Sequence, residues 1–282
     1  MKLTHRVKDC RLEISKFRQA GESVALVPTM GSLHAGHLAL VQQARKIADR
    51  VVVTIFVNPS QFGDKKDLEK YPRDDEGDIK KLTEAGVDLL LLPSVEEVYP
   101  MGDETIVETT RMANMLHGLI RPGHFRGVTT VVARLFNFIQ PDFACFGEKD
   151  YQQLQIIKRM VKDLAFPIEI IGVPTERASD GLALSSRNKR LSNEDRKAAP
   201  ILNQALVAAE NANPKTLNNV RQIIETTIAQ EPRATLRGLD IVEAETLNEI
   251  ENDTKTLSSL TAIMMSVQFS DILLIDQRVI KP

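Results

Sequence analysis

Two of the chain's five histidines, His34 and His37, stand three residues apart in VPTMGSLHAGH, residues 27–37. Imidazoles at i and i+3 project from one side of a helical turn, where they can ligate a metal, move a proton or donate to phosphate oxygens. A metal site would need further ligands, and no HExxH or CxxC string accompanies the pair. Histidines opening a helix can also simply cap it or decorate its surface. Phosphate binding is the third reading: a helix start offers backbone N–H groups and partial positive charge. Gly31 and Gly36 remove side chains where backbone and ligand approach closely. Neither GxxxxGK[ST] nor GxGxxG occurs, so phosphate binding here must use another device. On spacing alone the three readings stay open.

The surrounding elements bear on the choice. Residues 23–27 predict a strand and 35–49 a helix, with Leu38, Val41, Ala44 and Ile47 at helical spacing. The β-branched run 51–57 predicts a strand buried on both faces. Further along, 75–85 predicts a helix closed by Gly86, and 87–92 a strand stopped by Pro93. Helix 128–138, strand 143–146, helix 151–163 and strand 168–173 continue the alternation. This is an α/β pattern, a Rossmann-like doubly wound parallel sheet with right-handed crossovers. In such a sheet ligands sit at the carboxyl ends of strands, where VPTMGSLHAGH falls.

The rhythm changes from residue 185. Ser192, with Asp195 three residues on, predicts a capped helix running to 209, and a second helix covers 217–229. LDIVEA and AIMMSVQF then predict strands. The expected organisation is a domain over 1–175 and a smaller C-terminal α+β domain over 176–282.

With 282 residues, 43% hydrophobic and 26% charged, the chain can bury sizeable cores. With a net charge of −2 a large basic footprint for nucleic acid is not expected, although a local patch stays open. Two cysteines make neither a disulfide framework nor a zinc-knuckle spacing, which points to a reducing, cytoplasmic setting. The charge-studded first 21 residues are not a signal peptide, and no apolar run is long enough to span a bilayer.

HAGH fits the HxGH motif of the class I synthetase and nucleotidyltransferase superfamily. The wider set of strings is more specific: PTMGSLHAGHLALV, TIFVNPSQFG, YPR, RPGHFRGVTTVV, FGEKDYQQL and DGLALSSRNKRL, in that order. Together they closely resemble the pantothenate synthetase (pantoate–β-alanine ligase) family, most fully over residues 23–191.

The resemblance implies a two-step reaction. The pantoate carboxylate attacks the α-phosphorus of Mg-ATP to give pantoyl adenylate and pyrophosphate. The β-alanine amine then displaces AMP, with no covalent enzyme intermediate. It also implies a homodimer and small-molecule substrates, with no nucleic acid or membrane partner. ATP and Mg²⁺ are the cofactors implied, and no resident metal site is expected.

By matching motif positions, Met30, Gly31, Ser32, Leu33, His34, Ala35, Gly36 and His37 form the first ATP loop, with both histidines facing the phosphates. Gly147, Glu148, Lys149 and Asp150 form a second ATP contact, and Glu176, Leu184, Ser185, Ser186 and Arg187 a third. His34, His37, Lys149 and Arg187 are the implied catalytic set. Gln61 and Gln153 resemble the glutamines that hold pantoate, Gln61 also serving β-alanine and Asn58 a further candidate; Arg121 and His124 are candidate partners for a carboxylate or phosphate. Arg187 lies at the domain junction, so the smaller domain is expected to act as a lid. Two departures stand out: Glu176 replaces an apolar residue, and LLIDQ (273–277) replaces RLIDN near the chain end.

Three rivals remain at this point. A nucleotidyltransferase would use HxGH but not the glutamines. A class I aminoacyl-tRNA synthetase would need more chain after Leu191. A non-catalytic nucleotide-binding protein would have little use for Lys149, Arg187 and both histidines together.

Overall fold

The structure is a computed structural model that describes residues 1–251 and 255–282. Its elements, in order, are β1 (Lys2–Thr4), α1 (Val7–Gln19), β2 (Val24–Thr29), α2 (Ala35–Ile47), β3 (Arg50–Ile55), α3 (Lys65–Glu69), α4 (Asp75–Glu84), β4 (Leu89–Leu91) and α5 (Val95–Val98). There follow α6 (His117–Ile120), α7 (His124–Ile139), β5 (Phe143–Gly147), α8 (Tyr151–Asp163) and β6 (Glu169–Val173). The last are α9 (Asn193–Ala198), α10 (Ile201–Glu210), α11 (Leu217–Ala229), β7 (Thr235–Glu243), β8 (Thr261–Phe269) and β9 (Ile272–Ile280). Two compact units divide them: residues 1–147 with 152–173, and residues 148–151 with 174–282.

The first unit is built on a six-stranded parallel sheet in the order β1-β4-β3-β2-β5-β6. Alternation along β2 explains how it is covered on both sides. Val24 and Leu26 join a core with α1, α7 and α8, whereas Ala25 and Val27 join one with α2 and α4. A strand buried on both faces therefore reads as a continuous apolar run. Chain order reverses between β2 and β5, so their carboxyl ends flank the crevice where α/β sheets bind ligands.

The second unit carries an antiparallel meander, β7-β8-β9, whose core includes Ile263, Met265 and Leu274. From α10 and α11, Leu202, Leu206, Val220 and Ile224 join that core. The fold class is thus a doubly wound parallel sheet plus a small C-terminal α+β sheet, as expected.

Some element bounds differ from expectation. Ser192 does cap a helix, its Oγ accepting from Asp195 N at 3.0 Å, but the helix stops at Ala198 and α10 restarts at Ile201. Pro200 has no N–H to continue the ladder. Helix α7 begins at His124, four residues earlier than predicted, because Gly123 enters it from a left-handed conformation. Six elements were not foreseen: edge strand β1, polar helix α1, the short helices α3, α5 and α6, and β9, whose Asp276 and Gln277 interrupt its apolar pattern. Among the described residues no helix is long and apolar enough to cross a membrane.

Candidate active site

The loop from β2 to α2 turns through two left-handed residues, Gly31 (φ 81°) and Ser32 (φ 52°). A Cβ on Gly31 would lie 3.1 Å from Ile55 and 3.3 Å from Asp78 Oδ2, so glycine serves both conformation and space. His34 is the N-cap of α2, and Gly36 N donates to its Nδ1 at 3.2 Å. In return His34 N donates to Nδ1 of His37 at 3.3 Å, and the two rings lie 4.1 Å apart. The pair forms a reciprocal cap.

This geometry fixes a protonation pattern. A backbone N–H can only donate, so each Nδ1 presents its lone pair, and a neutral ring must carry its proton on Nε2. Both histidines are therefore set up as Nε2–H donors. The cap reading and the phosphate reading are compatible, because different nitrogens serve them.

The structure corrects one expectation. The amides of Leu33, His34, Gly36 and His37 already have partners: Asp78 Oδ1, His37 Nδ1, His34 Nδ1 and His34 O. The loop spends those N–H groups on its own fold, which leaves anion recognition there chiefly to side chains.

A second constellation of the same unit surrounds Gln61, at the end of a 3₁₀ turn (Pro59–Gln61) after β3. The Asn58 side chain is buried and donates to Gln61 Oε1 at 2.9 Å and to Gly127 O at 3.1 Å. Gln61 Nε2 faces Met30 Sδ at 3.1 Å, which links this turn to the histidine loop. His124 Nδ1 donates to the Gln61 carbonyl at 2.9 Å, with Arg121 Nη1 3.4 Å from its Nε2. His124 thus holds the Gln61 backbone. Gly127 lets α7 approach so closely that a Cβ there would press on Ser60 O and sit 2.7 Å from Gln61 N.

Gln153 is half-buried on α8. Its neighbour Gln152 is structural, bonded to the His117 amide and to the Met112 and Met115 carbonyls. Gly147 ends β5 with open space where a Cβ would point.

In the second unit, Lys149, Ser185 and Arg187 line one cleft together with Leu182, Ala183, Asn188, Leu202 and residues 274–276. Lys149 comes from a 3₁₀ turn (Glu148–Asp150), and Arg187 from another (Ser186–Arg190) capped by Ser185 Oγ at 3.2 Å. Among the described residues neither cation has a carboxylate partner. The cleft's carboxylate, Asp276, is committed elsewhere: Arg177 grips it with two bonds of 2.7 and 2.9 Å. Two unpaired cations beside a neutralised acid make an anion-binding surface.

That ion pair gives the LLIDQ segment a part to play: Asp276 of β9, common to LLIDQ and RLIDN, anchors the loop running from Glu176 to Leu184. Within it Leu184 N bonds Glu176 O at 2.9 Å, and the Glu176 side chain is exposed. Leu273 offers its carbonyl to Arg187 Nη1 at 3.5 Å, the outer limit of a hydrogen bond. Asp150 and Arg187 are exposed, whereas Glu148, Lys149, Leu184, Ser185 and Ser186 are half-buried.

Sequence reasoning missed Asp78, Tyr99, Gly127, Asn188 and the Arg177–Asp276 pair. Asn188 Oδ1 is buried without a partner on the wall of the cation-lined cleft, an acceptor that only its place in LSSRN signalled.

Comparisons with known proteins identify the family. A family model described as pantoate-beta-alanine ligase matches residues 2–279. The chain is 48% identical over 284 residues to the pantothenate synthetase of Bartonella henselae, covering 100% of this chain and 99% of that one. It superposes on the crystal structure of pantothenate synthetase from Thermus thermophilus with a TM-score of 0.92, at 44% identity and full coverage of both chains. A third relative is the pantoate-beta-alanine ligase of Francisella tularensis, solved in complex with beta-gamma ATP and beta-alanine. It matches with a TM-score of 0.77 and 33% identity, covering 99% of this chain and 97% of that one. A match of this extent in sequence and in structure shows that the chain belongs to the pantoate–β-alanine ligase family.

Proposed function

We propose that this chain condenses pantoate with β-alanine at the expense of ATP, through a pantoyl adenylate, releasing pyrophosphate and then AMP. The pantoate carboxylate attacks the α-phosphorus and the bond to the bridging oxygen breaks, pyrophosphate leaving. The β-alanine amine next attacks the activated carbonyl, loses a proton and expels AMP. Neither step needs an enzyme nucleophile, so catalysis rests on alignment and on stabilising moving negative charge.

The observation that carries this reading is the reciprocal cap of His34 and His37, which sets both rings as Nε2–H donors at the carboxyl end of β2. In this reading they meet the phosphate oxygens, and His37 is the donor nearest the reacting phosphorus. Lys149 supplies a point charge and Arg187 a fork for the polyphosphate, while Ser185 and Ser186 donate hydroxyls. Residues 30–37, 147–150, 176 and 184–187 make up the nucleotide contacts. Gln61 and Gln153 hold the hydroxyl and carboxylate groups of pantoate, and Gln61 also meets β-alanine.

Magnesium enters as part of the substrate, Mg-ATP. Among the described residues no group of three His, Cys, Asp or Glu side chains is placed to hold an ion. Mg²⁺ commonly takes substrate phosphates and waters with only one or two carboxylates, and the exposed Asp150 fits that part through water.

The reading also gives the 176–282 domain the part of a lid, and the chain a homodimeric state checked by analytical ultracentrifugation. Two buried, unpaired thiols suit a cytoplasmic setting. AMP release, measured with ATP, pantoate and β-alanine each omitted in turn, tests the reaction: turnover requires all three. Pantoate-dependent ATP–pyrophosphate exchange without β-alanine is the expected mark of the adenylate. Absence of any response to pantoate would overturn the proposal.

A further inference from the structure

We infer that Tyr99 is a positioning residue that reinforces the amide polarity of the Gln61 site, holding Asn58 Oδ1 in place so that Gln61 stays a donor toward its ligand. The ligand identity rests on the pantoate reading above; the orientation itself does not.

An amide side chain can be turned over, exchanging donor for acceptor. At Asn58 the surroundings forbid this. Gly127 O is an acceptor only, so the Asn58 atom facing it at 3.1 Å must be the NH₂ group. Ser60 N is a donor only, so the atom facing it at 3.3 Å must be Oδ1. Two hydroxyls reinforce that choice, Tyr99 OH at 2.8 Å and Ser60 Oγ at 2.9 Å, and these two oxygens lie 3.0 Å from each other. Tyr99 makes the shortest of the three contacts to Oδ1.

Polarity is then passed to Gln61. Asn58 Nδ2 can only donate, so Gln61 must turn Oε1 toward it, as the 2.9 Å bond records. Gln61 Nε2 is thereby driven to the other side, where the partner present is the weak acceptor Met30 Sδ at 3.1 Å. One N–H toward sulfur leaves a second for a carboxylate or hydroxyl oxygen. A reversed Gln61 would instead present a carbonyl, repelling a carboxylate.

The Tyr99 ring is itself held. The Arg134 guanidinium stacks 4.7 Å from its centroid while bonding the Val98 and Thr105 carbonyls. Burial pushes the Tyr99 phenol pKa upward, so it remains an O–H donor across the neutral range.

Tyr99→Phe removes one hydroxyl and leaves the ring packed. A second variant, Tyr99→Phe/Ser60→Ala, leaves the longer Ser60 N–H contact to hold Oδ1. In pantoate-dependent pyrophosphate exchange, the pantoate KM is expected to rise about 5-fold in the single variant and more in the double, from the usual value of one hydrogen bond. The ATP KM, kcat and Tm should stay near those of the parent protein. A fall in Tm or kcat with an unchanged pantoate KM would mean a merely structural role and would overturn the inference.

A ligand-free readout separates the two readings. The side-chain ¹⁵N–¹H₂ signals of Asn58 and Gln61, assigned by their loss in Asn58→Ala and Gln61→Ala, should shift and exchange faster with water in Tyr99→Phe. Unchanged signals would overturn the orientation role. If they change while the parent protein shows no response to pantoate, the orientation stands and the substrate reading falls.

Discussion

Leu33 donates its backbone N–H to Asp78 Oδ1 at 2.8 Å, so the histidine loop is tied to a carboxylate 45 residues further along the chain. Asp78 is fully buried in the first turn of α4, where the helix dipole favours negative charge. Its other partner is Lys81 Nζ at 3.0 Å, and its second oxygen lies buried without a partner, close to Gly31.

Replacing Asp78 therefore acts on the histidine loop from beneath. Asp78→Ala leaves the Leu33 N–H unpaired and is expected to cost about 1–3 kcal/mol of stability. Asp78→Asn keeps an acceptor and should cost less. In both variants the ATP KM should rise more than the pantoate KM. Urea unfolding paired with initial rates checks this, and a pantoate effect larger than the ATP effect would contradict the placement.

The two histidines carry separable duties. His34→Ala and His37→Ala each remove half of the reciprocal cap, a stability loss of about 0.5–2 kcal/mol. Loss of a charge-stabilising donor is expected to slow the first half-reaction by about 100-fold or more. Pyrophosphate exchange alongside thermal melts distinguishes the two, since the rate defect should persist at temperatures where each variant is fully folded.

Gly127→Ala tests the close approach of α7 to the turn Pro59–Gln61. The added methyl meets backbone on both sides, Ser60 O and Gln61 N, and neither can rotate away as a flexible side chain would. Overpacking of this kind costs about 1–3 kcal/mol. Because Gln61 sits on the displaced turn, the pantoate KM should rise with the stability loss while the ATP KM changes little.

Breaking the Arg177–Asp276 pair should disturb the cation-lined cleft of the second unit. Asp276 is buried, and Asp276→Ala strands a largely buried guanidinium, a loss of about 3 kcal/mol on the scale of broken buried pairs. The cleft that holds Lys149 and Arg187 should weaken toward ATP as its loop loosens. Isothermal titration with a non-hydrolysable ATP analogue reads this directly; unchanged affinity would show the pair to be purely structural.

The thiols are expected to be inert. Burial pushes the Cys145 thiol up to about 12 and Cys10 to about 11, so at pH 8 almost no thiolate forms in the folded protein. Iodoacetamide should label both only after unfolding, and Cys10→Ser/Cys145→Ala should retain turnover. Rapid labelling of the native protein with loss of activity would contradict this.

The parallel sheet was legible in sequence because strands buried on both faces announce themselves as unbroken apolar runs, and α8 because its apolar face keeps helical period. Partners distant in sequence were not legible. Asp78 stands in the acidic string RDDEGD and looks like one more solvated charge until folding places it under Leu33. Tyr99 and Asn58 are 41 residues apart, and no local pattern pairs them. LLIDQ departs from RLIDN at its first and last positions, yet the aspartate common to both is the residue that the loop depends on.

The start of α2 also sets a limit for anyone engineering this protein. Serine and aspartate are far commoner N-caps than histidine, so His34→Asp is a natural choice for a thermostabilised variant. On the proposed reading, the same exchange removes a phosphate donor and sets a carboxylate before the polyphosphate. Position 34 would then be a point where robustness and turnover select opposite residues, and a library screened for melting temperature alone would be led away from a working enzyme.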